Sequence, residues 1–347
     1  MSYIVSTQPE GVIRSGWSAE MDDYAIACDW ANSGDLLIVC DVSGGIKAFD
    51  SKSGKPIWEH SETHKGGLLA MAVHPDGSLV ATSGQDGFLL IWDTVKGAKT
   101  KIINLGQGWI EHLAWSIDGQ MLAAACSRKV YVLDTEGEEK WSSDNHPSTV
   151  SSVAWSYSNE LATACYGRVT FYDLWNQEKK QKLEWRGSMV SMVLSPDGDV
   201  VACGSQDNSV HFWRRSTSKD SMMSGYPGKP LNLVFDHKGM LLATGGAEII
   251  TVWSFKDSGP EGTRPGQLKF HQKPISSLVF VSRGNRLASG ARDGSVAIWA
   301  LQSDGEGERI GSVWMTDQIS DLAWRPDGRA LAGVDAQGQV TAWRIRK

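Results

Sequence analysis

A large apolar or aromatic side chain closes a short apolar run at Phe49, Trp92, Leu133, Tyr172, Trp213, Trp253, Trp299 and Trp343. The intervals are 43, 41, 39, 41, 40, 46 and 44 residues. A second series, near Ile26, Leu69, Leu113, Val153, Val193, Leu233, Leu278 and Leu322, marks an apolar pair earlier in each unit. The clearest unit is HKGGLLAMAVHPDGSLVATSGQDGFLLIWD, His64 to Asp93. Leu68 to Val73, Leu79 to Thr82 and Leu89 to Trp92 read as strands, separated by reverse turns at Pro75-Asp76-Gly77 and Asp86-Gly87. Such a unit exposes two apolar faces and a free edge, so it must stack on others like itself.

A period of about 40–45 residues with four strands per period is the signature of a propeller blade. On these residues the chain resembles the WD40-repeat β-propeller family from about residue 11 to the end. Trp92-Asp93 is the one literal Trp-Asp pair, while Asp50, Asp134 and Asp173 keep the Asp alone. No unit can be dropped without breaking the period. The expectation is therefore an all-β chain, a closed eight-bladed β-propeller of four-stranded antiparallel blades. Residues 1–10 read as a tail and 11–347 as a single domain. Residues 11–19, GVIRSGWSA, are similar to the outer-strand segment RIGSVWMTD at 309–317, and the sequence stops after a third strand at Arg344-Ile345-Arg346-Lys347. Both features have one explanation: the N-terminal strand completes the last blade and removes two open edges. The stretch 254–267, with two Pro and three Gly, reads as a mobile surface loop.

Net charge is −6 and pI about 5.8, which disfavours nucleic acid and anionic membranes unless a local basic patch overrides the field. The five cysteines, Cys28, Cys40, Cys126, Cys165 and Cys203, fall on expected strands without a Cys-x-x-Cys spacing. They read as small buried hydrophobes in a reducing compartment. With no basic, apolar leader at the N-terminus and no apolar run of about 18 residues, the expected location is soluble and cytoplasmic.

The resemblance implies a polar tetrad in each complete blade: His before the first strand, Ser or Thr on the second, Asp in the next turn and Trp on the third. Two repeats match fully, with His64, Thr82, Asp86 and Trp92, and with His271, Ser289, Asp293 and Trp299. Repeat five keeps Asp207 and Trp213 but has Trp185 and Cys203, and repeat four keeps only His146 and Thr163. Asp, His and a hydroxyl together also describe a catalytic triad. A Trp capping the hydroxyl, in two blades at once, favours a structural chain satisfied at every member. We expect no catalytic residues, no metal site and no cofactor. His60 and Glu62 have metal-ligand spacing with His64, but the tetrad takes His64.

AFDSKSGKPIW at 48–58 resembles the tryptophan-docking motif of eight-bladed quinoproteins, through Ala48, Asp50, Ser53, Gly54, Lys55 and Trp58. That supplies the alternative function, a propeller enzyme or ligand-binding protein with a site at the central channel. The other blades lack the motif, and the simpler reading is a turn whose Trp packs on the next blade. Positions facing the channel, Ala70, Glu111, His112, Ser151, Ser191, Asn232, Ser276 and Asp321, are mostly small and neutral. The favoured function is a non-catalytic scaffold or adaptor that binds proteins through its loop faces, as a monomeric propeller within a larger complex. Aromatic and basic residues on the turns of repeats three to six mark the partner surface: Trp109, Arg128, Lys129, Tyr166, Arg168, Trp185, Arg186 and Tyr226. Their charge favours an acidic partner.

Overall fold

Eight antiparallel sheets succeed one another along the chain, and the computed structural model describes them through residues 8–174, 178–256 and 259–346. Blade 2 shows the plan. Its strands Leu68–Val73, Leu79–Gly84, Phe88–Asp93 and Lys99–Asn104 run from the channel to the rim, each hydrogen-bonded to the next. The turn at Pro75–Gly77 closes with Gly77 N–H donating to His74 O at 2.8 Å, and Gly77 takes φ 76°. Repeat four has no Gly in this turn. Asn159 adopts φ 57° there, the left-handed conformation that Asn tolerates better than most residues, which is how a degenerate sequence makes the same turn.

The core is divided into eight buried clusters, one at each junction between neighbouring blades. One joins Ala81, Leu89 and Ile91 of blade 2 to Ile110, Leu122 and Leu133 of blade 3. No blade owns a core, so its stability depends on both neighbours. Polar pins supplement this packing. The indole N–H groups of Trp30, Trp115, Trp155 and Trp324, on inner strands, donate to carbonyls of the preceding blade's inner strand (Ala323, Ala72, Ala114 and Val279) at 2.9–3.1 Å. Between blades 4 and 5 a buried ion pair joins Arg215 Nη1 to Glu160 Oε2 at 2.9 Å, with the guanidinium 3.7 Å above the Phe171 ring centroid.

Closure joins the two ends of the sequence in blade 8. Strand Ile13–Glu20 pairs with Gln339–Ile345, Ile13 opposite Ile345 and Glu20 opposite Gln339. The strand begins two residues later than expected, because Glu10–Gly11 first pair with Ser312 and Gly311 and add a fifth strand to blade 7. The last residue of the expected tail is thus a strand residue, and residues 1–7 lie outside the described ones. A side chain at Gly11 would place its Cβ 1.9 Å from Ile310 O, so this crossing between blades requires Gly. Within the 254–267 segment, residues 257–258 lie outside the described residues.

The motif at 48–58 locks the seam. Trp17 of the closing strand donates its indole N–H to Ser51 O at 2.8 Å and covers Gly54, where a Cβ would lie 2.4 Å from the ring. Trp58 repeats the arrangement one blade on, donating to Thr94 O at 2.7 Å and covering Gly97. Removing residues 1–20 should therefore expose the edges of blades 7 and 8 and lower the thermal midpoint strongly, whereas removing 1–8 should leave it unchanged. Scanning calorimetry of the two truncations checks this, and equal midpoints for both would contradict the closure mechanism.

Candidate functional site

Two sets of loops open on one face of the ring: those leading into the inner strands and those between second and third strands. They interlock by backbone hydrogen bonds, as in Ser127 N–H to Trp109 O at 3.2 Å and Trp185 N–H to Gly167 O at 3.0 Å. The polar tetrads hold this face. In blade 2, Trp92 Nε1–H donates to Thr82 Oγ1 at 3.0 Å, and the Thr82 hydroxyl donates to His64 Nε2 at 3.0 Å. His64 Nδ1–H then donates to Asp86 Oδ1 at 3.2 Å. Asp86 Oδ2 accepts from Lys65 N–H at 2.9 Å, which ties the chain to the loop. Burial lowers the His64 pKa, against the pull of Asp86, and so favours the neutral ring that can accept at Nε2.

Blade 7 departs from the expected wiring. Trp299 donates to Ser289 at 2.8 Å and Ser289 to His271 Nε2 at 2.7 Å, but His271 Nδ1 meets Ser295 Oγ at 2.6 Å, and Ser295 in turn bonds Asp293. The chain has five members because residue 295, two after the Asp, is Ser, whereas blade 2 has Phe88 at that place. Burial lowers the His271 pKa to about 4.

The incomplete blades substitute other groups. In blade 4, His146 Nε2 lies 2.9 Å from Thr163 Oγ1, and its Nδ1–H donates to Arg128 O at 3.0 Å, a carbonyl in place of the missing Asp. In blade 6, Tyr226 occupies the His position. Its hydroxyl accepts from Trp253 Nε1–H at 2.8 Å and lies 3.0 Å from Thr244 Oγ1. In blade 5, Trp185 stacks on His211 with ring centroids 3.9 Å apart, and His211 meets Trp213 edge-on at 4.3 Å. Asp220 Oδ2 lies 3.2 Å from His211 Nε2 without hydrogen-bond alignment.

These substitutions sort the expected partner-surface residues. Tyr226 and Trp185 are half-buried parts of the blades' own networks. Arg128 spends its Nε–H on His146 O at 2.7 Å, and Lys129 lies over Tyr131. Arg168 is half-buried, its Nε without a hydrogen-bond partner. Trp109 and Tyr166, 52% and 59% exposed, and Arg186, also exposed, present free side chains. Tyr166, Glu111, His112 and Met189 help to line a recess of about 540 Å³ across blades 3, 4 and 5.

The channel mouth carries a feature the sequence does not show. Six inner strands shift register at the same place, so that Ile26, Leu69, Glu111, Val190, Ser276 and Ser320 are bulged residues. Just after this bulge in blade 8 stands Asp321, which links three blades. It accepts from Cys28 N–H of blade 1 at 3.1 Å, from Leu322 N–H at 2.8 Å and from the Ser277 hydroxyl of blade 7 at 3.3 Å. Burial raises its pKa to about 7, against those hydrogen bonds and with help from the Asp29 charge. Asp29 is solvent-accessible yet hemmed in by protein, and burial raises it to about 6. All five cysteines are buried and unpaired, and burial pushes their thiol pKa values up. Among the described residues no group of three or more His, Cys, Asp or Glu is placed to hold a metal. His60 Nε2 instead lies 2.7 Å from Gly97 O.

A family model described as "WD domain, G-beta repeat" matches residues 54–93, 179–214 and 262–300. These three segments are WD40 repeats, set within the eight-bladed β-propeller described above. Among similar curated proteins, Autophagy-related protein 16 of Arabidopsis thaliana is 25% identical over 289 residues, covering 81% of this chain and 56% of that protein. Protein hir1 of Schizosaccharomyces pombe is 23% identical, covering 82% and 36%, and WD repeat-containing protein 1 of Xenopus tropicalis is 23% identical, covering 94% and 54%. The chain thus spans between about a third and just over half of the length of these relatives. The crystal structure of the computationally designed Ika8 protein superposes with a TM-score of 0.80 at 19% identity, covering 97% of this chain and 100% of that one, a likeness of fold.

Two measurements probe the site. Trp92→Ala removes a fully buried indole and strands the Thr82–His64–Asp86 chain, and should cost about 3–5 kcal/mol. Urea unfolding of this variant beside Leu133→Ala, where no polar chain is broken, separates the packing and polar losses. For Asp321, the folded pKa exceeds the unfolded value of 3.8, so its stability contribution is full below that value and is lost as pH rises through 7. Asp321→Asn cannot ionise. Between about pH 5 and about pH 8 the thermal midpoint of the variant should rise relative to wild type. A constant difference across that range would show that Asp321 ionises normally.

Proposed function

We propose that this WD40 propeller is a non-catalytic scaffold that binds a protein partner through the loop face over blades 3 to 6. The observation that carries this reading is the set of free side chains, Trp109, Tyr166 and Arg186, on turns held by interlocked backbone around the recess of about 540 Å³. Aromatic and Arg residues on pre-ordered turns bury much area at little entropic cost. Trp185 and Tyr226 give the surface its floor, and Arg128, Lys129, Arg168 and Arg186 favour an acidic partner. The WD40 relatives support the scaffold reading as a class.

The channel enzyme is the less economical reading. Glu111 and His112 stand on blade 3, whereas Asp321 and Asp29 lie on blades 8 and 1, so the ionisable groups do not converge as catalysis requires. The Thr82 and Ser289 hydroxyls accept indole N–H groups and are fully buried, which leaves them no access to a substrate. Five buried free thiols favour a reducing, cytoplasmic setting, and no helix among the described residues is long and apolar enough to cross a membrane. A monomeric ring within a larger complex accounts for a binding face on a closed fold.

The test is affinity capture and mass spectrometry, followed by binding of the purified partner. Trp109→Ala, Tyr166→Ala and Arg186→Glu should each weaken binding by about tenfold or more at unchanged thermal midpoint. Tyr157→Ala, which removes an exposed ring from the opposite face, should be silent. A hydrogen-exchange footprint on the 254–267 side, with the three variants binding normally, would overturn this reading.

A further inference from the structure

The chain has 40 acidic against 34 basic residues, yet at the closure seam the balance reverses. On the face away from the binding loops, Arg325, Arg329 and Arg344 of blade 8 and Lys52 of blade 1 line a recess of about 540 Å³ with Trp17 and Trp343. Beside it, Arg283 and Arg286 of blade 7 and the turn Pro326–Gly328 line a second of about 650 Å³. The two are adjacent, lined on either side of Arg325-Pro326 and Gly328-Arg329. Ser282 Oγ–H donates to Pro326 O at 2.9 Å, and Arg286 Nη1–H donates to Arg346 O at 2.9 Å, bringing the last strand alongside.

Two of the nearby carboxylates are already committed. Asp327 accepts two hydrogen bonds from Arg325, at 2.9 and 2.8 Å. Asp50 Oδ1 folds back into its own turn, accepting from Ser53 N–H at 2.8 Å and Ser53 Oγ–H at 2.6 Å. Asp35 stands exposed on the blade 1 turn at the edge of the tract. Arg283, Arg329 and Arg346 are exposed, and among the described residues their side chains make no hydrogen bond or close ion pair, while the Arg329 charge helps to hold the Asp327 carboxyl below its usual range. Exposed guanidinium groups beside concave recesses, with Arg344 donating its Nε–H to Ser15 O at 3.0 Å, suit a phosphate dianion, which the Arg fork binds through paired hydrogen bonds.

The setting narrows the source of that phosphate. Membrane surfaces are held by basic charge together with inserted apolar side chains. Every large exposed apolar residue described lies in blades 1 to 6 and none in blades 7 or 8. Single-stranded nucleic acid needs exposed aromatic faces for base stacking. Trp343 is 3% exposed, and half-buried Trp17 lays its ring against Gly54 with its N–H held by Ser51 O, so neither stands out as a stacking platform. We propose that this tract docks a phosphorylated segment of a partner protein, the phosphate entering the recess lined by Arg329, Arg344 and Lys52.

The test is fluorescence anisotropy of the full chain with a degenerate peptide pool centred on phosphoserine, beside the same pool unphosphorylated. The phosphorylated pool should bind about tenfold or more tightly, and Arg329→Glu and Arg283→Glu should each remove most of that difference at unchanged thermal midpoint. Arg329→Lys should retain part of it. Binding to the Trp109 face should be indifferent to all three, so this site and the loop-face scaffold succeed or fail separately. Equal binding of the two pools would overturn the proposal, as would full binding by Arg329→Glu. Stronger retention on phosphatidylserine vesicles, or on a single-stranded oligonucleotide, would overturn it in favour of that ligand.

Discussion

Pairing of Ile13–Glu20 with Gln339–Ile345 is the interaction on which the ring depends. Every blade is stabilised from two sides, and only a closed circle gives every blade two sides. The seam is reinforced at three depths. Trp17 covers Gly54 at the rim, Ile13 is buried among Val296, Ile298 and Ile345, and Asp321 ties blades 7, 8 and 1 at the channel. Residues about three hundred positions apart are thus neighbours both in the buried core of the seam and at the channel.

The tetrads show how such a fold tolerates divergence. A buried hydroxyl and indole need partners, but not particular ones. Asp86 meets His64 directly, Ser295 relays to Asp293, a carbonyl serves His146, and Tyr226 replaces an imidazole. Each solution fixes the same loop with a different side chain. The face can therefore vary its chemistry without changing its frame, which suits a surface selected for a partner.

The repeat, the number of blades and the closing strand were legible because each rests on period and alternation, which survive at low identity. The polar wiring was only partly legible. His64 and Asp86 could be paired from spacing, but the relay through Ser295 depends on a side chain two residues beyond the motif. Trp30, Trp115, Trp155 and Trp324 stand at one phase of the repeat, a visible signal. Their acceptors lie on the preceding blade, and only the ring geometry brings these together. The same holds for the basic tract: Ser282–Arg286, Arg325–Arg329 and Arg344–Arg346 look like unrelated charges until blades 7 and 8 are placed side by side. Trp185 and Tyr226 carried an ambiguity that composition could not remove, since an aromatic residue at a vacated His position suits packing and binding equally.

The closing strand also sets an order of events during synthesis. Ile13–Glu20 leaves the ribosome more than three hundred residues ahead of its partner strand. At about 5–20 residues per second, that strand waits for tens of seconds with its apolar side chains and hydrogen-bonding edge unsatisfied. A nascent chain of this design needs the early segment to be held or shielded until the final hairpin emerges, which makes chaperone contact with the first blade-8 strand a foreseeable step in its biogenesis.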